Sequence, residues 1–166
     1  MKKLLLLDAD VVIDLHTLEL FDKICGAYDV KVTKQVFDEV KYYPKNGIKR
    51  PINISNEVQV INDIDVDFLK MIQREEREAR LTIQLGEKTS IAYLLQAKED
   101  ITLCLVDKAA IKIVSYMDLN NKTVSLEKAL RKAGHHTKLF PRHLETSFRK
   151  CIEEGKVLRL QNKLLP

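Results

Sequence analysis

The sequence predicts an α/β protein with three layers, helices covering both faces of a mostly parallel central sheet. Three observations carry that prediction. Short apolar runs alternate with longer segments whose apolar residues recur at helical spacing. The leucines Leu4 to Leu7 form a run of strand length and read as a buried strand. The chain has 166 residues, enough for one domain with a real core.

Residues 3–8 are the first expected strand. Val11, Val12, Leu15, Leu18, Phe21 and Ile24 then predict one helix from Val11 to Cys25, stopped by Gly26. Val30–Thr33 alternates as a short strand, and a helix through Val36, Phe37 and Val40 should end before Pro44. Residues 44–57 hold Pro44, Asn46, Gly47, Pro51, Asn53, Ser55 and Asn56, which is turn chemistry, and predict a loop or mobile flap. Val58–Ile61 reads as an edge strand. Asp65–Arg80 reads as a charged helix supported by opposite charges three and four apart. A helix over Gly86–Lys98, a strand over 101–106 and a helix over Lys108–Met117 follow. Thr123–Val124 is a brief strand, and Ser125 can cap a helix reaching about Lys132. Phe140–Glu154 is the last expected helix, stopped by Gly155, with Val157–Leu160 as a short strand or tail.

Composition narrows the class. Apolar residues make up 45 % and charged residues 31 %, an ordinary soluble balance, and no stretch approaches the ~18 apolar residues of a membrane span. Aromatics are only 6 %, so aliphatic side chains must fill the core. The net charge of +4 permits an anionic partner without requiring one. Cys25, Cys104 and Cys151 form neither a CxxC pair nor a zinc pattern and fit a reducing cytoplasm. The start, Met1-Lys2-Lys3 followed by leucines, is interrupted by Asp8 and Asp10 too early for a signal peptide.

The chemistry lies in the acids. The expected strands 3–8 and 101–106 end in Asp8 and Asp107, and ligands of open parallel sheets sit outside the carboxyl ends of the strands. Glu39 lies on the helix after the second strand, and Glu87 in the first turn of its helix, near the positive end of the dipole. Taken singly, Asp8 or Asp107 could be a helix cap, Glu87 a partner for a helix dipole, and Glu39 an exposed helical acid. Together at one end of the sheet they would repel one another, and a divalent cation would relieve them. Oxygen-only ligands suit Mg²⁺ or Mn²⁺, ions that activate water and stabilise phosphoryl charge.

In their order and surroundings these acids resemble the PIN-domain family of metal-dependent ribonucleases, which includes the VapC toxins of toxin–antitoxin pairs. The matching stretches are Leu4-Leu5-Leu6-Leu7-Asp8-Ala9-Asp10-Val11-Val12-Ile13, Val36-Phe37-Asp38-Glu39-Val40, Leu85-Gly86-Glu87-Lys88-Thr89-Ser90-Ile91-Ala92 and Leu103-Cys104-Leu105-Val106-Asp107-Lys108-Ala109-Ala110. The tail resembles a subgroup carrying a Gly-Glu motif. The resemblance implies a single PIN-like domain over 1–166, with 44–57 as flap and 140–166 as C-terminal helix and tail. It implies Asp8, Glu39, Glu87 and Asp107 as metal and catalytic residues, while Asp10, outside the family's pattern, either adds a ligand or only caps a helix. Asp10 stands where the family usually has a small polar residue, and Leu105 where it often has Thr or Ser. The implied reaction is cleavage of RNA with Mg²⁺ or Mn²⁺. The implied partners are RNA, an antitoxin protein and a second copy of the chain in a homodimer.

Basic residues must flank an acidic centre that binds a polyanion. Lys41, Lys45, Lys49 and Arg50 around the flap, with Lys88, Lys108 and Lys112, are the candidates, and Tyr42 and Tyr43 could stack on a base or pack beside the helix end. His135-His136 lacks companions at ligand spacing and reads as a polar loop, and neither His16 nor His143 is assigned any chemistry.

Two other readings start from the same residues. Asp8-Ala9-Asp10-Val11-Val12 also looks like the first motif of haloacid-dehalogenase-type phosphatases, with Asp8 as nucleophile and Asp10 as acid/base. There Val11 replaces the usual Gly, and Glu39 and Glu87 would be idle. The fold could instead serve as a catalytically weak module that binds RNA or protein.

Overall fold

The computed structural model describes residues 1–164; positions 165 and 166, the end of the expected tail, lie outside the described residues. The leucine run forms β1 (Lys3–Leu7). Where one helix is expected over 11–25 there are two, α1 (Ala9–Thr17) and α2 (Phe21–Ala27). Glu19, at φ 59°, breaks the run between them. The apolar spacing continues across the break because Val11, Val12 and Leu15 join the same core as Phe21 and Ile24.

β2 (Tyr28–Thr33) leads into α3 (Lys34–Glu39), which Thr33 caps by accepting the Val36 N–H at 3.3 Å. Beyond it, part of the expected flap is an antiparallel hairpin, β3 (Tyr42–Lys45) paired with β4 (Ile48–Pro51). Asn46 and Gly47 turn it at φ 53° and 75°, the positive-φ pair that tight hairpins require. Its strands are largely exposed and polar, so they lack the alternation that announces a half-buried strand.

β5 (Gln59–Ile61) is the expected edge strand. The helices α4 (Val66–Ala79) and α5 (Leu85–Gln96) precede β6 (Ile101–Cys104). Next come α6 (Lys108–Tyr116), β7 (Thr123–Val124) and α7 (Leu126–Lys132), the last capped by Ser125 accepting the Lys128 N–H at 3.0 Å. The final helix is shifted along the chain. Residues 140–144 form a turn containing Pro141, and α8 (Glu145–Arg159) runs straight through Gly155 and the expected terminal strand. Gly155 is a contact residue, not a stop. A Cβ there would lie 2.5 Å from the Lys112 carbonyl oxygen and 2.7 Å from the Ser115 Cβ, so α8 can approach α6 only without one.

The central sheet has the order β5-β2-β1-β6-β7, and each neighbouring pair is parallel. Alternate side chains of β1 face opposite layers. Leu5 and Leu7 pack with α1, α2, α3 and α7 on one face. Leu6 packs with α4, α5, α6 and α8 on the other. Each fully buried leucine contributes roughly 1.5–3 kcal/mol. This is a three-layer α/β/α arrangement. From β1 the chain moves outward to β2 and β5, then returns to place β6 on the other side of β1. The order therefore reverses between β1 and β6, where open α/β sheets form their ligand crevice. Among the described residues, no helix is long and apolar enough to cross a membrane.

Candidate metal centre

The reversal point brings the acids together. Asp8 follows β1 directly, and Asp107 lies just beyond the neighbouring strand β6. Asp10 sits in the first turn of α1 and Glu87 in the first turn of α5. One carboxylate oxygen from each of Asp8, Asp10 and Glu87 lies within 4.8 Å of the other two. This is the tight group. Asp10, an added candidate in the sequence, belongs to it.

Glu39 and Asp107 flank the group. The Glu39 carboxylate accepts from Gln35 Nε2 at 2.8 Å and lies against Gly86, where a Cβ would be 2.7 Å from its Oε2. The missing side chain at Gly86 leaves this space to the Glu39 carboxylate. Asp107 Oδ1 accepts the Ala110 N–H at 2.9 Å, so this acid also caps α6. Its charge still reaches the centre, where it opposes ionisation of Asp8 and Glu87.

Asp8 also precedes a helix, yet its side chain makes no cap hydrogen bond. It is 2 % exposed, and its Oδ1 is buried without a hydrogen-bond partner. Burial, with Asp10, Glu39 and Asp107 adding to it, pushes this carboxyl up to about 7 despite a backbone hydrogen bond from Ala9. Glu87, 4 % exposed, accepts the Gln84 N–H through Oε2 at 2.9 Å. Burial and the neighbouring aspartates raise it to about 8.

Such a group is costly as it stands. Buried carboxylates need donors or a cation, and an orphaned oxygen gains neither from the protein. The donor set is oxygen alone, which fits a hard divalent ion such as Mg²⁺ or Mn²⁺ and does not fit a thiolate- or imidazole-seeking one.

Hydrogen bonds hold the framework in place. Thr33 donates to Thr89 Oγ1 at 2.9 Å, and Thr89 donates to the Gly86 carbonyl at 2.8 Å. That chain ties the end of β2 and the start of α3 to the first turn of α5, and so fixes Glu39 relative to Glu87. A cavity of about 290 Å³ opens at the opposite end of the sheet, lined by Lys2, Lys3, Tyr28 and Thr102. It lacks the clustered acids, so the chemistry is not there.

Of the expected phosphate contacts, Lys45 pairs with Glu19, Lys88 with Glu76 and Lys112 with Glu154. Tyr43 packs near His16, with ring centroids 5.5 Å apart, while Tyr42 is exposed. His143, given no chemistry from the sequence, is buried and holds Asp14 Oδ2 at 2.7 Å. Arg142, also missed, grips the same carboxylate with Nε at 3.1 Å and Nη2 at 2.7 Å. The partners are 128 and 129 positions apart, so no local spacing could reveal them.

Comparison with protein-family models, with curated proteins and with solved structures finds no match.

Proposed function

We propose that this chain is a Mg²⁺- or Mn²⁺-dependent endoribonuclease of the PIN-domain type. The observation that carries the reading is the carboxylate group of Asp8, Asp10 and Glu87 at the sheet's reversal point, in which buried Asp8 keeps an oxygen without a hydrogen-bond partner. Asp8, Asp10 and Glu87 would hold the ion, with Asp107 reaching it through water. A bound divalent ion activates water and stabilises the charge that develops on phosphorus. Glu39, anchored by Gln35, would orient a water beside the centre. The cap bond to Ala110 fixes the Asp107 carboxylate, and the Gln84 N–H fixes that of Glu87, so neither pays for ordering when substrate binds.

In a phosphatase using Asp8 as nucleophile, Glu87 and Glu39 would be idle. Their convergence on Asp8 favours the ribonuclease over that alternative and over a catalytically weak binding module. RNA is the proposed substrate. As a toxin, the protein would pair with an antitoxin that lays a basic side chain towards the acids, and would act as a homodimer.

The test is cleavage of single-stranded RNA with Mn²⁺. Cleavage should vanish with EDTA and fall by a factor on the order of 10²–10³ in Asp8→Asn. Cleavage that survives chelation, or an aspartyl-phosphate trapped on Asp8, overturns the reading.

A further inference from the structure

The acidic centre cannot itself hold a polyanion, and Lys45, Lys88 and Lys112 of the lysines expected beside it are already paired with carboxylates. One cation is positioned differently. Arg142 belongs to the turn before α8, and its guanidinium is clamped to Asp14 by two hydrogen bonds. Asp14 lies four residues after Asp10 on α1, hence on the same face, one turn away. The clamp on Asp14 therefore sets the guanidinium about one helical turn from Asp10, at the edge of the acidic group.

The clamp uses only part of the guanidinium. Nε–H and one Nη2–H go to Asp14, leaving both protons of Nη1 and the second of Nη2. Among the described residues Nη1 has no acceptor, and the Arg142 side chain is 54 % exposed. A purely structural tie does not need this arrangement, because His143 already fastens the same turn to Asp14 from a fully buried position. Beside Arg142 stands Phe140, 52 % exposed, with its ring centroid 5.8 Å from the guanidinium carbon. The ring also lies 5.7 Å from that of His143.

We infer that Arg142 and Phe140 form a nucleotide subsite at the edge of the acidic centre, the guanidinium holding a phosphate of single-stranded RNA and the phenyl ring stacking on its base. The inference rests on the ribonuclease reading for its substrate. A guanidinium fork matches the geometry of phosphate oxygens, and an exposed ring is a sequence-tolerant platform for an unstacked base. Asp14 and His143 are positioning residues. They fix the fork so that its free edge is presented without further ordering. Because Asp14 neutralises Arg142 overall, the subsite acts through short, directional donors and not through long-range attraction.

The experiment measures the Kd of a short fluorescent single-stranded RNA in EDTA, where the metal-dependent reaction is off, alongside thermal midpoints. Arg142→Ala and Phe140→Ala should each weaken binding about tenfold. Arg142→Lys keeps a cation on Asp14 and the folded midpoint but should also lose most of the affinity, because an ammonium cannot bridge two acceptors as the fork does. In Mn²⁺, KM should rise in the Arg142 and Phe140 variants with kcat changed much less. Parental Kd in both Arg142→Lys and Phe140→Ala overturns the subsite, even where Mn²⁺-dependent cleavage stands. Conversely, binding that depends on Arg142 and Phe140 without any cleavage keeps the subsite and sinks the ribonuclease reading.

Discussion

Asp8 is held in a position that costs the fold stability and offers a cation an oxygen. Its carboxyl is raised to about 7 by burial first and by its acidic neighbours second, whereas an unfolded aspartate titrates near ~3.9. The folded state thus keeps this proton to higher pH than the unfolded chain does. The linked stability is full below pH ~4 and is lost as pH rises towards about 7. Glu87, raised to about 8, extends the loss. In EDTA the thermal midpoint should therefore fall as pH goes from ~5 to ~8. Asp8→Asn should blunt that fall and gain on the order of 1–3 kcal/mol at the upper end. Calorimetry at a series of pH values checks this, and an Asp8→Asn profile parallel to the parent's would contradict it.

At the scale of elements, close backbone approach matters as much as apolar burial. The α6–α8 contact runs through Gly155, and Ser115 Oγ donates to the Ile152 carbonyl across the same seam. Because a Cβ at 155 would strike the Lys112 carbonyl, Gly155→Ala should part the helices and cost about 1–3 kcal/mol, read as a lower urea midpoint. Helix propensity alone favours Ala over Gly, so a raised midpoint would show that the seam yields easily. The elements also differ in how far the sequence announces them. The runs around Leu5 and Leu103 declare buried strands because they are almost wholly apolar and contain no charged residue from Leu4 to Leu7 or from Ile101 to Val106. The break at Glu19 is invisible, since the apolar face continues on both sides of it. Gly155 reads locally as a stop, and only the facing helix reveals it as a contact.

For the whole molecule, parallel topology converts distant sequence positions into one centre. The strand-end position of Asp8 and the helix-start position of Glu87 are legible from the sequence, because both follow from local chemistry. Which acids touch is decided by the pairing of β1 with β6 and by the packing of α5. That geometry draws Asp10 into the tight group while Asp107 caps α6. The clamp of Arg142 and His143 on Asp14 joins the two ends of the chain and leaves no local trace. A crystal structure grown with millimolar Mn²⁺ and read by anomalous scattering shows whether these carboxylates form a metal centre. One strong peak is expected in contact with the Asp8 carboxylate, with Asp10 and Glu87 around it. A map with no peak at Asp8, or with Mn²⁺ bound only elsewhere, would contradict it.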